Sequence, residues 1–173
     1  MSISMHSASV PVFIRMFANM TTWLDKAEAH AQAKKFDPSV YLTARLAPDM
    51  LPFVRQIQMA SDGAKFAVAR LAGVEAPKFE DNETNFIELR ERIAKTVEFI
   101  KSVPADQIDG TEDKDIALPR RDGTLMIKGE AYLKHFVLPN FYFHCTAAYA
   151  ILRHCGVEIG KSDYLGAIPL KMV

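Results

Sequence analysis

GEAYLKHFVLPNFYFHCTAAYAILRHCG, the stretch from Gly129 to Gly156, is long enough for a helix of many turns and ends on a glycine, as helices often do. Read as heptads, it contains a line of residues alternately four and three apart: Leu133, Val137, Asn140, His144, Ala147, Ile151 and His154. Such spacing keeps one line of side chains facing a partner helix. Asn140 and His144 stand in the middle of this line, where a plain bundle carries leucine. Because they are i,i+4 neighbours, their side chains can meet.

Three further amphipathic stretches precede this helix, each with apolar residues repeating in threes and fours. The predicted helices run from about Ser7 or Ser9 to Lys34, from Pro48 or Asp49 to Gly73, and from about Glu83 to Val103. In the second helix, Gln58 and Asp62 flank the apolar line and lie four residues apart. Gly63 beside them interrupts the helical propensity, which favours close packing or access for a ligand.

Between the third and fourth helices the period of the sequence changes. The apolar segments 116–118 and 125–127 flank PRRDGT, and an Asp-Gly pair is a strong hairpin signal. Pro139 falls inside the last helix and predicts a kink just before Asn140, because proline removes one backbone hydrogen bond. We therefore predict an all-α protein, an up-and-down four-helix bundle with a short β-hairpin before the last helix, formed by a single domain of residues 1–173.

Composition narrows the class of protein. Lys plus Arg and Asp plus Glu both number 21, so the net charge is zero and the basic excess of a nucleic-acid-binding protein is missing. No apolar run approaches the roughly 18 residues of a membrane span, and the N-terminus lacks the pattern of a signal peptide. Cys145 and Cys155 lie on one predicted helix, about 15 Å apart at 1.5 Å per residue, so they cannot pair. These features predict a cytoplasmic protein without a nucleic-acid or membrane partner.

The segments LAPDMLPFVRQIQMASD and LPNFYFHCTAAYAILRHCGVEIGKSDYLG resemble the DinB-like superfamily of four-helix bundles, in an uncharacterised domain-of-unknown-function branch. Many members of that superfamily are regarded as metalloenzymes. In the metal-binding members, one histidine comes from the second helix and two come from an H-x-x-x-H motif on the last helix. Here that motif stands as Asn140-Phe-Tyr-Phe-His144, and the position on the second helix falls near Gln58, with Asp62 one turn on. One of the three histidines, His144, is therefore kept.

The resemblance and the residue pattern leave three hypotheses. The first is a small-molecule pocket lined by this degenerate site, with Asn140, His144, Gln58 and Asp62 as ligand-binding residues, to which Tyr142 and Tyr149 would add hydroxyl groups. The second is a divalent-metal-dependent transferase or isomerase-like enzyme, with His144 as one ligand of a loose Ni or Zn site, an analogy at the level of the fold. The third is a non-enzymatic interaction or stress protein whose polar pair only fixes the register of the helices.

The sequence also predicts self-association. Superfamily relatives often pair through bundle faces, and this chain has apolar residues outside its predicted buried lines: Phe53, Phe66, Phe141 and Tyr142. An unpartnered apolar surface of this kind indicates an interface, so we expect a homodimer.

Overall fold

The computed structural model describes residues 3–168, which form a mostly helical chain with one small sheet. The helices are α1 (Val10–Lys34), α2 (Phe53–Ala72), α3 (Phe86–Ser102), α4 (Leu138–His154) and the short α5 (Lys161–Leu165). The strands are β1 (Asp115–Arg120) and β2 (Gly123–Lys128), and short 3-10 turns cover Pro38–Thr43 and Ala105–Gln107. A single helical turn, Gly129–Ala131, and a π-helical segment, Tyr132–Val137, lead directly into α4.

The start of α2 differs from the prediction. The sequence favoured Pro48 or Asp49, whereas the helix begins at Phe53 with Pro52 in extended conformation before it. A proline disfavours helical geometry in the residue before it, which here is Leu51. The helix ends as predicted, with Gly73 in the left-handed region at φ 77°.

The predicted disturbance around Pro139 takes the form of a π-helical segment. Residues Tyr132–Val137 widen the helix, and Pro139 then lies in the first turn of α4, directly after the widened segment. A π-segment of this type changes the face that the following residues present. It therefore helps to set which side chains of α4 point towards α2.

The hairpin is confirmed as an antiparallel pair in which Ile116 lies opposite Ile127 and Leu118 opposite Leu125. Ile116 and Leu118 are buried against the helices, while most of β2 is exposed. The sheet thus adds one apolar face to the core, which is what allows a lone hairpin to be stable.

Among the long helices, α2 packs on α4 and α3, and α1 packs on α3, on α4 and, less extensively, on α2. Their shared core contains Phe13, Phe17, Trp23 and Leu24 of α1 together with buried residues of the other helices. Phe53 and Phe141, predicted as spare apolar residues, are fully buried in this core, because Phe53 packs near Phe86 and Phe141 lies between Phe13 and Phe17. Only Phe66 and Tyr142 of that predicted set are exposed.

The C-terminal segment folds back on the bundle, where the short helix α5 packs against α1. Within residues 3–168, no helix is both long enough and apolar enough to cross a membrane.

Candidate functional site

His144 is held by a side chain that the sequence did not single out. Its Nδ1 lies 2.8 Å from Oε1 of Gln56 on α2, and both side chains are buried. The Nε2 of Gln56 donates in turn to the backbone carbonyl of Leu51 at 2.9 Å. This second bond fixes the orientation of the Gln56 amide, because a flipped amide would set two oxygens against each other. Gln56 therefore presents its carbonyl oxygen to His144.

The bond to Gln56 also fixes the tautomer of His144. Since the Gln56 oxygen can only accept, Nδ1 must carry the proton. Burial lowers the pKa of the imidazole from its ordinary value, which favours the neutral ring at neutral pH. A neutral ring with its proton on Nδ1 has a lone pair on Nε2. Among residues 3–168, Nε2 of His144 has no hydrogen-bond partner. Every side-chain nitrogen or oxygen there that is sealed from solvent has a partner, so Nε2 is accessible to solvent.

Asn140 lies one turn before His144 and is half-buried against α2. A Cβ added to Gly63 of α2 would lie 3.7 Å from Nδ2 of Asn140, which is an ordinary contact distance. The Asn140 amide makes no hydrogen bond to another side chain in the described part of the chain. The ring of Phe143 stands edge-on to His144 with 5.3 Å between centroids, and Phe143 is 56% exposed. The surface where α4 packs on α2 thus carries two uncommitted polar groups beside an exposed aromatic ring.

Gln58 and Asp62, predicted to face His144, lie on another side of α2. Gln58 donates from Nε2 to Oε2 of Glu83 at 2.6 Å and accepts at Oε1 from Arg55 at 2.6 Å. The physical reason is helical geometry: residues two apart point about 200° from each other, so a helix that turns Gln56 towards α4 turns Gln58 away. The structure brings Asn140 and His144 together, whereas Gln58 and Asp62 lie away from them.

The polar network that contains Asp62 surrounds Arg92 of α3, which is 3% exposed. The Arg92 guanidinium lies 2.9 Å from carboxylate oxygens of Asp62, Asp81 and Glu83. The buried Nζ of Lys65 lies 2.9 Å from the same oxygen of Asp62. Because Asp81 and Glu83 belong to the segment between α2 and α3, this network fastens that segment to both helices. Asp62 therefore has a structural role in this network.

The two predicted tyrosines are also separated from His144. Tyr149 packs edge-on against Trp23 and Tyr164, and its hydroxyl donates to the Ile159 carbonyl at 3.4 Å. Tyr142 is 38% exposed and lines a different cavity, next to Tyr164. Tyr142 precedes His144 by two residues and Tyr149 follows it by five, so neither shares its face of the helix.

The donors around His144 do not fit a Zn or Ni site. Such sites use several imidazole, thiolate or carboxylate ligands, whereas the side chains beside His144 are the amides of Gln56 and Asn140. No three His, Cys, Asp or Glu side chains within residues 3–168 are grouped so that they could hold a metal ion. The carboxylate that the sequence offered, Asp62, is engaged by Arg92 and Lys65.

A signal for Gln56 was present in the sequence. Gln56, Ala60, Gly63 and Ala67 form a line of mostly small residues spaced four, three and four, and three of them are almost completely buried. Such a line lets a neighbouring helix approach closely. This line of small residues is easily overlooked in the sequence, because the larger apolar residues of α2 form a second line that faces the core.

The helices and the hairpin form a DinB-like fold, which a solved structure shares. A DinB family member protein from Shewanella denitrificans, known from a crystal structure, is 42% identical to this chain with a TM-score of 0.92. The match covers 97% of this chain and 95% of that chain. A family model described as "Domain of unknown function (DUF1993)" matches residues 5–165, and the chain belongs to this family. Among curated proteins, none matches this chain.

Proposed function

We propose that this protein binds a small organic molecule, without a metal, at the surface where α4 packs on α2 beside His144. The observation that carries the proposal is the pairing of His144 with Gln56, which commits Nδ1 as a donor and leaves the Nε2 lone pair uncommitted. A histidine held in this way is an acceptor for a donor group on a ligand. Asn140, one turn away, would supply a second polar group that both donates and accepts.

The surroundings favour a particular chemical class of ligand. The exposed ring of Phe143 offers a flat apolar surface next to the imidazole. The two uncommitted polar groups are neutral, so no ion pair would drive binding. We therefore propose a neutral aromatic molecule with a hydroxyl or N–H group, the donor directed at Nε2 of His144 and the ring against Phe143.

Phenol is a suitable probe, because it combines one hydroxyl donor with one aromatic ring. In a titration followed by ¹⁵N NMR, we expect phenol to shift the Nε2 resonance of His144 and the amide signals of Asn140 and Gly63. The double variant Gln56→Leu/His144→Leu removes both partners of the buried pair without leaving either unsatisfied. It should stay folded and lose the response at Asn140 and Gly63.

The control is His154→Leu, which removes an exposed histidine from the end of the same helix. That variant should respond to phenol like the wild type. An equal response from the double variant, or no shift at Asn140 and Gly63 in the wild type, would contradict the proposal. Calorimetric titration with Ni²⁺ or Zn²⁺ tests the metal-dependent alternative, which requires binding that the wild type has and the double variant lacks.

We further propose that two copies of the chain associate through the face formed by α2 and the π-helical segment Tyr132–Val137. Phe66 and Phe136 are each 38% exposed there. Arg70 lies over the Phe66 ring, Tyr132 stacks on the Phe136 ring, and Arg70 and Tyr132 together connect the two phenylalanines. Exposed aromatic residues around one arginine are typical of protein interfaces.

Two further parts of the proposal concern the arrangement of the helices and the location of the protein. The contacts of α2 with α3 and α4, and of α1 with the same two helices, support an up-and-down four-helix bundle. Cys145 and Cys155 are both free thiols, which supports a location in the reducing cytoplasm.

A further inference from the structure

A cavity of about 390 Å³ lies between the first half of α1, α4 and the C-terminal helix α5. Its walls include Val12, Arg15, Met16, Tyr142, Tyr164 and Leu165. This volume is in the usual range of small-molecule pockets, which begins at about 300 Å³. The cavity is separate from the site at His144, since Tyr142 and His144 point to different sides of α4.

The wall contributed by α5 is firmly attached to the bundle. Tyr164 stacks on Trp23 with 5.6 Å between ring centroids, and the indole N–H of Trp23 donates to the Asp163 carbonyl at 2.9 Å. The Asp163 carboxylate pairs with Lys26 at 2.6 Å, and Nδ2 of Asn19 donates to the Tyr164 carbonyl at 2.8 Å. These four contacts join α5 to one face of α1. The cavity is therefore formed before any ligand binds.

The chemistry of the walls is asymmetric. Most of the lining side chains are apolar, and Arg15 is the one charged side chain among the described residues that line the cavity. Within residues 3–168, Arg15 forms no ion pair, and neither its guanidinium nor the Tyr142 hydroxyl has a hydrogen-bond partner. By contrast, the Tyr164 hydroxyl is already bonded to Thr146 at 2.9 Å. One cation and one free hydroxyl thus face an apolar cavity.

We propose that this cavity binds a small amphipathic carboxylate, with its anionic group on Arg15 and Tyr142 and its apolar body against Met16 and Leu165. A planar guanidinium matches a carboxylate with two parallel hydrogen bonds. Burial raises the pKa of the Tyr142 phenol, which keeps the hydroxyl protonated as a donor. A single cation at the edge of an apolar cavity balances one negative charge, which favours a monoanion over a phosphate ester.

Octanoate is the probe, and octan-1-ol is its uncharged counterpart. In a titration followed by two-dimensional ¹H–¹⁵N NMR, we expect octanoate to shift the indole N–H of Trp23 and the backbone amides of residues 12–19 and 161–168. Octan-1-ol should bind about tenfold more weakly, because it lacks the charge-assisted hydrogen bonds to Arg15. Equal affinity for the two compounds, or an octanoate titration in which none of these signals moves, would overturn the proposal.

Two variants separate this site from general binding of an amphiphile. Arg15→Gln should lower the affinity for octanoate to that for octan-1-ol, and Arg15 is exposed, so the fold is retained. Arg45→Gln is the matched control, because Arg45 is exposed and bonds only to the Pro48 carbonyl, at 3.4 Å. Arg45→Gln should bind octanoate as the wild type does. An Arg15→Gln variant with unchanged octanoate affinity would also refute the assignment.

Discussion

Nδ1 of His144 lies 2.8 Å from Oε1 of Gln56, and this contact joins α4 to a helix 88 positions earlier in the chain. Both side chains are buried, and the Gln56 amide is oriented by the Leu51 carbonyl. The pair therefore has two consequences: it stabilises the packing of α2 on α4, and it leaves the free lone pair of His144 at Nε2.

The energetic role of the pair is testable with a double-mutant cycle. Gln56→Leu or His144→Leu alone leaves one buried partner unsatisfied and should lower the free energy of unfolding by about 1–3 kcal/mol. The double variant should be nearly as stable as the wild type, because an apolar pair can replace a satisfied polar pair. Urea unfolding measures all four proteins. Gln32→Leu, at an exposed position of α1, controls for the change of side chain.

The pH dependence of stability follows from the pKa of His144. Burial lowers the pKa in the folded state from the ordinary value of 6.5, so the unfolded chain binds more protons below that pH. The free energy of unfolding should therefore decrease as the pH falls below about 6.5 and through the folded pKa. Unfolding curves between about pH 8 and about pH 5 should show a smaller decrease for Gln56→Leu/His144→Leu than for the wild type. Parallel curves would show that His144 does not titrate differently on folding.

Two glycines should respond in opposite ways to alanine. Gly63→Ala adds a Cβ at ordinary contact distance from Asn140, so we expect a gain of about 0.5–1 kcal/mol in unfolding free energy from helical propensity. Gly129→Ala would place a Cβ 2.0 Å from the Thr111 backbone oxygen. That clash should cost more than about 2 kcal/mol, because backbone atoms must move. Thermal unfolding of the two variants checks both signs.

The network around Arg92 should contribute more than a surface ion pair. Arg92→Met removes the cation that Asp62, Asp81 and Glu83 share, and we expect a loss of about 3 kcal/mol in unfolding free energy. Arg90, which also belongs to α3, is the matched control. Its partners Asp25 and Glu28 are more exposed than the partners of Arg92. Arg90→Met should cost less than about 1 kcal/mol. Similar losses for the two variants would contradict a special role of the buried network.

The proposed association through α2 and the π-helical segment Tyr132–Val137 can be tested by introducing a charged side chain into that face. Light scattering at micromolar concentration should give the mass of a dimer for the wild type. Phe66→Glu places a charge at the proposed interface and should give the mass of a monomer, since an unpaired charge in an interface is strongly unfavourable. Ile87→Glu, at a residue of α3 that is 65% exposed, is the control and should leave the mass unchanged. A monomeric wild type would refute the dimer.

The sequence by itself determined the helices, the hairpin and the placing of Asn140 and His144 one turn apart on the last helix. These features depend on local periodicity and turn chemistry: threes and fours for a helix, Asp-Gly for a tight turn, and i,i+4 spacing for neighbours on one face. The start of α2 was missed by a few residues, because the conformation before Pro52 depends on how the preceding segment packs.

Only the tertiary structure decided which residue of α2 meets His144. The rotation of a helix about its own axis is set by packing against all its neighbours at once, and a rotation of about 200° exchanges positions two apart. Packing turns Gln56 and the small residues towards α4, while Arg92 draws Asp62 towards α3. The same long-range packing brings Arg15 and Tyr142, 127 positions apart, to one cavity beneath α5. No local pattern carries that information, because it depends on contacts between segments that are distant in the chain.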